Sequence, residues 1–261
     1  MISESGHVRD GKSSMKETVL SGKNITKSFG GNTVLHGIDI DLFAGDFTVI
    51  MGASGSGKST LLYALSGMDR ISGGQLTYHG RDITNASEKE LTKLRSEDFG
   101  FVFQRTHLIG NLTLHENIRM AGLIGALSEK ESKQRTDDLV KRMGLEGAQN
   151  RLPSQVSGGE AQRAAVARAV INKPSLLFAD EPTGALNRAN SEEVLNLLTS
   201  LHGEGQSILL VTHDKEAALR GNRILYLEDG SITGELMLPD YAGKDKAREE
   251  KLTAFLEGLG W

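Results

Sequence analysis

The sequence predicts an α/β fold, and three observations predict it. An apolar run from Phe47 to Met51 stops at a glycine-rich loop and passes into a helical pattern from Thr60 to Leu65. Two later apolar runs, Leu176–Ala179 and Ser207–Val211, are separated by a helical segment and end in polar residues, as strands of βαβ units do. Between the strand Phe99–Phe103 and the first of these runs, the chain from Leu112 to Asn150 reads as helix without a convincing strand. That stretch is a helical insertion between two sheet strands.

Composition bounds the possibilities. The 261 residues are 38% hydrophobic and 25% charged, enough for one large α/β domain or a domain with a subdomain. Thirty Lys and Arg stand against 34 Asp and Glu, a net charge of −4, so the global basic signature of nucleic-acid binding is missing and no nucleic acid is expected. The absence of cysteine excludes disulfides, thiolate metal sites and thiol catalysis. The longest apolar runs, such as Ile208–Val211, are too short to cross a bilayer.

The chain in order begins with a polar segment, Met1–Glu17, that lacks an apolar signal-peptide region and is expected to be disordered, with Met15 as an alternative start. Thr18–Lys27 and Thr33–Leu42 read as two strands joined by Gly30-Gly31-Asn32. The second alternates, with Val34, His36, Ile38 and Ile40 on one face. Phe29 sits at the turn, where its ring either packs on the hairpin or stacks on a base.

The loop after the third strand is Gly52-Ala53-Ser54-Gly55-Ser56-Gly57-Lys58-Ser59-Thr60, the spacing of a phosphate-binding P-loop. Its glycines let successive N–H groups converge on an anion, and the helix that follows aims its positive end there. Lys58 adds a point charge for phosphates, and the Ser59 hydroxyl is a Mg²⁺ ligand by type.

Gln75–His79 is a short strand, and Ser87 with Glu90 makes a capping box for a helix through Arg95. Gln104 ends the strand Phe99–Phe103, at the edge where open α/β sheets place ligand groups. Helices are expected over Thr113–Ile124 and Ser128–Lys141, the second with a capping box at Ser128 and Glu131 and a stop at Gly144. The apolar Leu108, Ile109, Leu112 and Leu114 pack within the insertion or form a docking surface.

Ser157-Gly158-Gly159-Glu160 opens an alanine-rich helix, physically a second anion-binding helix start. Asp180 and Glu181 end an apolar strand. Unpaired carboxylates at a core edge are costly, and a Mg²⁺ ion with an attacking water would rationalise them. A helix over Arg188–His202 leads to the strand Ser207–Val211, which puts His213 at the same carboxyl edge. Strands Arg223–Leu227 and Ser231–Leu236 close the sheet. From Lys244 to Trp261 a helix is expected with Leu252, Phe255, Leu256 and Leu259 on one face.

In this order the motifs resemble the nucleotide-binding domain of ATP-binding cassette (ABC) transporters over about Leu20–Leu236. Gly52–Thr60 matches Walker A, Gln104 the Q-loop, Ser157–Glu160 with Ala161-Gln162-Arg163 the signature, and Leu176–Glu181 Walker B. Ala185-Leu186-Asn187 matches the D-loop and His213 the switch histidine. Phe29 falls where the family stacks an aromatic on adenine.

The resemblance implies a P-loop ATPase with a RecA-like mixed-sheet core, an N-terminal antiparallel β subdomain and an inserted helical subdomain at about 105–172. It divides the chain into a tail at 1–17, an ATPase domain at 18–240 and a C-terminal helical tail at 241–261. It implies ATP and Mg²⁺ as cofactors, with Ser59, Gln104 and Asp180 at the metal, Glu181 as general base and His213 at the γ-phosphate. It further implies a head-to-tail homodimer in which the P-loop of one chain meets Ser157–Glu160 of another.

Gly100–Gln104, Leu112-Thr113 with Glu116-Asn117, and Asp180–Gly184 look like the branch of macrolide exporters, lipoprotein-release systems and bacitracin-type peptide-resistance exporters. For that branch the expected partner is an integral-membrane permease with a large extracytoplasmic domain, and the location is the cytoplasmic face of the cell membrane. The alternative is a non-transporting ABC ATPase that regulates a membrane cell-division or cell-wall complex. Two residues depart from the broad family pattern: Glu160 stands in place of glutamine and Asn187 in place of aspartate.

Overall fold

A computed structural model describes residues 16–261, so the expectation of disorder for Met1–Glu17 falls almost wholly outside the described residues. Two sheets and a helical layer make up the fold. The first sheet is antiparallel, in the order β2-β1-β4-β5, from β1 (Thr18–Phe29), β2 (Asn32–Phe43), β4 (Gly73–Tyr78) and the short β5 (Arg81–Asp82), which the sequence did not signal. The hairpin turn is tighter than expected. Phe29 pairs with Asn32, and only Gly30 and Gly31 turn, both at positive φ, as a two-residue hairpin loop requires.

The alternation expected along β2 is wrong in phase. Ile25 pairs with Ile38 but Thr26 pairs with His36, which leaves Gly37 as an extra residue at φ 79. This bulge shifts the side-chain period, so Leu35 is buried and His36 is exposed.

The second sheet has the order β10-β9-β3-β8-β7-β6. Its strands are β3 (Phe47–Met51), β6 (Phe99–Phe103), β7 (Leu176–Asp180), β8 (Ser207–Val211), β9 (Arg223–Glu228) and β10 (Ser231–Met237). All neighbours are parallel except β9 and β10, so the sheet is mixed.

Both faces are covered, which is why the parallel strands read as unbroken apolar runs. Phe47, Val49, Leu177 and Ala179 point into one core, and Ile50, Leu176 and Phe178 into the other. The second core is shared with α1 (Lys58–Leu65) and the antiparallel sheet. The first is closed by α3 (Leu114–Ile124), α4 (Glu129–Arg142), α5 (Gly158–Val170), α6 (Arg188–Gly203), α7 (Lys215–Ala218) and α8 (Lys246–Glu257), with α7 not anticipated. α2 (Glu88–Glu97) precedes β6. The expected apolar face of α8 is borne out, with Leu252 and Leu256 buried and Phe255 and Leu259 packed against the core.

Register decides what the sheet presents. Phe103, Asp180, Val211 and Ile50 form one row across β6, β7, β8 and β3. The residues just beyond that row, Gln104, Glu181, Thr212 and Met51-Gly52, therefore emerge at one edge.

Capping boxes start α2, α3, α4 and α5, at Ser87, Thr113, Ser128 and Ser157, each closed by a glutamate three residues on. The Ser128 hydroxyl, and then its backbone N–H, hold the Glu131 carboxyl below the usual range. A carboxyl depressed in the folded state stabilises it above the unfolded pKa and loses that contribution as pH falls through the folded one. Glu131→Ala should therefore melt below the native chain at neutral pH, and the gap should narrow once pH drops below about 4.3. Thermal melts across that range check this, and a gap that ignores pH would contradict it.

Candidate functional site

The site is assembled at the carboxyl edge of β3, β6, β7 and β8. A cavity of about 870 Å³ opens there, lined by Ala53, Ser54, Gly55, Lys58, Ser59, Thr60, Gln104, Glu181 and His213, with Val34, Tyr226 and Trp261 around them. Most of the residues proposed from the sequence thus share one space.

The loop between β3 and α1 adopts its curl through glycine, with φ of 153 at Gly52, 84 at Gly55 and 100 at Gly57. Gly52 also permits a close approach: a Cβ there would lie 2.1 Å from the carbonyl oxygen of Leu227. α1 begins at Gly57 with no side-chain cap and no acid in its first turn. Its first N–H groups are thus left for an anion, at the positive end of the helix. The Ser56 hydroxyl is buried without a hydrogen-bond partner among the described residues.

Lys58 donates to the carbonyls of Gly52 at 2.9 Å and Ala53 at 2.7 Å, so the ammonium crosses the loop mouth. Burial pulls its pKa down, opposed by the charges of Glu181 and Asp180. An arriving polyphosphate would return charge partners to this group. The loop, the uncapped helix and Lys58 together fit a nucleotide triphosphate.

Ser59 donates to Asp180 Oδ1 at 2.8 Å, and Tyr63 donates to Asp180 Oδ2 at 2.8 Å. Asp180 is buried and forms no salt bridge among the described residues; its carboxylate is held by two hydroxyls. With the Gln104 amide, the donor set is all oxygen and suits Mg²⁺, which takes one or two carboxylates and completes its shell with phosphates and water. Burial and the Asp180 bond push the Tyr63 phenol up to about 12, so it remains a donor at any working pH. The sequence reading missed Tyr63. The available signal was spacing, since Ser59 and Tyr63 lie four residues apart on one helix face.

Glu181 departs from the strand ladder. Its φ is 47, a left-handed conformation that costs a residue with a Cβ, and such outliers cluster at functional sites. The turn is held by its N–H, which donates to Val211 O at 2.9 Å on the neighbouring strand. Its carboxylate accepts from Thr212 Oγ1 at 3.0 Å, from the His213 backbone N–H at 3.0 Å and from His213 Nδ1 at 2.7 Å. The ring is exposed toward the cavity mouth. A carboxylate beside a histidine at the end of a phosphate cavity can take a proton from water, with the histidine alongside the anion.

Gln104 lies over the segment after Glu181: a Cβ on Gly184 would be 2.8 Å from its Nε2. The chain around Gln104 is fixed from the helical layer. Gln162, buried in α5, donates to Phe103 O at 2.9 Å. Arg168 donates to Thr106 O at 2.7 Å and His107 O at 2.6 Å. Asn117 accepts from Ile109 N at 2.7 Å and donates to the carbonyls of Ile109, Leu112 and Thr113. The apolar residues of the insertion divide accordingly. Leu114 is buried and Leu108 partly so, while Ile109 is 49% exposed; on α3, Met120 and Ile124 are also exposed.

Two sets of proposed residues lie elsewhere. Phe29 is 49% exposed at the hairpin tip, with Lys27 Nζ 4.7 Å from its ring centre, and it does not line the loop cavity. Ser157, Gly158, Gly159 and Glu160 are at the start of α5, also outside the cavity. Glu160 has a local role there: its carboxylate accepts from the Ser157 N–H and hydroxyl at 2.8 Å each, which holds it below the usual range. Gly159 lets α5 approach α6, since a Cβ would stand 2.6 Å from the Asn190 side chain.

The comparisons agree with this geometry. The family model described as "ABC transporter" matches residues 35–184. The chain is 43% identical over 218 residues to the lipoprotein-releasing system ATP-binding protein LolD of Aquifex aeolicus, covering 84% of this chain and 97% of that protein. It is 39% identical over 239 residues to the macrolide export ATP-binding/permease protein MacB of Pasteurella multocida, covering 90% of this chain. It spans 37% of the length of that exporter. The structure resembles the dimeric post-hydrolysis state of the ATP-binding cassette MJ0796 bound to ADP and Pi, with a TM-score of 0.78 at 36% identity, over 85% of this chain and 100% of that one.

Tyr63→Phe removes one of the two hydroxyls that hold Asp180. A hydrogen bond to a charged group contributes about 1.5–3 kcal/mol. Urea denaturation should show a loss of that order, and a loss under about 0.5 kcal/mol would mean the bond is not formed in solution.

Proposed function

Because the chain belongs to the ABC transporter family, it is an ATPase cassette that uses ATP with Mg²⁺, and we propose that it powers a separate integral-membrane permease from the cytoplasmic face of the membrane. The work it drives is export or mechanical transmission of the drug-resistance, peptide-resistance or lipoprotein-release kind, through a permease with a large extracytoplasmic domain. The ~40% likeness to a lipoprotein-release cassette and a macrolide exporter supports this choice of branch.

The observation that carries the reading is a separation. Lys58, Ser59, Gln104, Glu181 and His213 share one cavity, while Ser157–Glu160 open a helix outside it. A second copy of the chain, placed head to tail, brings its Ser157, Gly158, Gly159 and Glu160 to the γ-phosphate. Twofold symmetry then makes two equal composite sites. That the related MJ0796 cassette is described as dimeric supports the pairing.

In each site, the amides of Gly52–Thr60 and the Lys58 ammonium bind the phosphates, and Phe29 stacks on the base. Ser59, Gln104 and Asp180 would hold Mg²⁺, which would supply positive charge against the phosphates. Tyr63 keeps one Asp180 oxygen occupied and so orients the other. Glu181 releases His213 and takes the proton of the attacking water, a role worth typically ~10²–10⁴-fold. His213 then steadies the γ-phosphate. ATP closes the pair and hydrolysis opens it.

The permease docks beside Gln104. Ile109, Met120 and Ile124 are apolar and exposed, with Ile124 at 67%, and Asn117 and Arg168 hydrogen-bond the backbone between Gln104 and α3. That supports a short helix of the permease as the occupant, with Gln104 as the link to the site.

Glu181→Gln should bind ATP, lose turnover and accumulate an ATP-dependent dimer on size-exclusion chromatography; normal turnover would refute the assignment. Lys58→Ala should abolish ATP binding, and a tight calorimetric isotherm for that variant would remove the P-loop from the reading.

A further inference from the structure

The C-terminal helix reaches the same face as the nucleotide cavity. β10 makes room for it: a Cβ on Gly234 would stand 2.8 Å from Leu259 and 3.0 Å from Phe255. Arg248, 6% exposed, anchors its first turns by donating to Leu219 O at 2.7 Å and to the carbonyls of Gly221 and Pro239. Leu219 and Gly221 belong to the segment that follows His213 through α7.

The end of the helix is equally fixed. Gly260 takes a left-handed φ of 81, its N–H donates to Glu257 O at 3.1 Å, and the Trp261 N–H donates to Leu256 O at 3.1 Å. That is a Schellman cap, and it sets the direction in which Trp261 leaves the helix. The indole stands edge-on to Tyr226, with ring centres 6.1 Å apart at 78°.

Trp261 borders two spaces at once. One is the cavity of Lys58, Glu181 and His213; the other is a groove beside it formed by Gly184, Leu186 and Arg188 with Glu181 and His213. The ring is therefore a ridge between the phosphate loop and the 184–188 segment. A cavity of about 870 Å³ remains beside it, room enough for a nucleotide, so it is a wall and not a plug. It is 37% exposed, a large ring with little rotamer entropy to lose, the kind of side chain that dominates protein interfaces.

Building on the head-to-tail pairing proposed above, we infer that Trp261 belongs to the pairing interface: α8 carries it to the face where a second copy of the chain closes over ATP, and its indole is buried against that copy. The face is continuous with the groove and cavity that the second copy must cover. The anchor at Leu219 and Gly221 ties this contact to the segment carrying His213.

The test uses a spectroscopic advantage, since Trp261 is the sole tryptophan of the chain. In the Glu181→Gln chain, ATP with Mg²⁺ should shift its emission to the blue, in step with dimer formation followed by light scattering. Adding Trp261→Ala should weaken pairing by about tenfold. Trp261→Phe should recover most of the loss. If dimers form while the emission stays put, or if the alanine variant pairs as tightly, the inference falls and the pairing stands. A full emission shift at concentrations too low for pairing would also overturn it, because the ring would then sense nucleotide and not a second chain. If Glu181→Gln forms no dimer with ATP, the pairing itself falls and the inference with it.

Discussion

Everything at the site depends on the parallel register of four strands. Phe103, Asp180, Val211 and Ile50 form one row, so the phosphate loop, Gln104, the acid pair and His213 all emerge one step further along. A slip of one residue on any of these strands would turn its side chains to the opposite face and carry its terminal residue out of the cavity. Apolar cover on both faces guards against that slip. Alternate residues of β3 and β7 are committed to different cores, so a shifted strand would bury the wrong set twice.

The helical layer adds a second constraint of a different kind. It reaches the sheet through polar contacts to backbone carbonyls, from Gln162 to Phe103 and from Arg168 to Thr106 and His107. Burial pulls the Arg168 pKa down, so its charge is kept at some cost. The arrangement fixes the path of the chain after Gln104 while leaving the Gln104 side chain free to face the cavity. Sheet register places the residues that line the cavity, and the helical layer fixes the backbone on either side of Gln104.

Much of this was legible in the sequence because it is written in local chemistry. The glycine spacing of the loop, the acids at the end of β7 and the serine–glutamate pairs at helix starts declare themselves within a few residues. What was not legible depends on distant partners. The bulge at Gly37 reverses the face of Leu35 and His36, yet Gly37 alone reads as an ordinary strand residue. The left-handed turn of Glu181 is accompanied by a bond from its N–H to Val211 on another strand, and no residue type signals it. Tyr63 was hidden because a tyrosine in an apolar helix reads as core until Asp180 is seen beneath it. The apolar face of α8 was plain from its period, but where its last residue would arrive was not. That destination depends on the cap at Gly260 and on Gly234 in a different strand.

The position of β3 at the centre of its sheet has a consequence for how the chain is made. The strand ends at Met51, is buried along its whole length, and lies between β8, which begins at Ser207, and β9, which follows it. Even the phosphate loop waits for late residues, since the Gly230 N–H donates to Ser56 O. At ~5–20 residues per second, a ribosome needs on the order of ten to thirty seconds to reach the first partner of β3. Throughout that interval a five-residue apolar strand has neither of its neighbours. The nascent chain therefore presents a sticky edge from the emergence of Met51 until Ser207 and the residues after it have emerged.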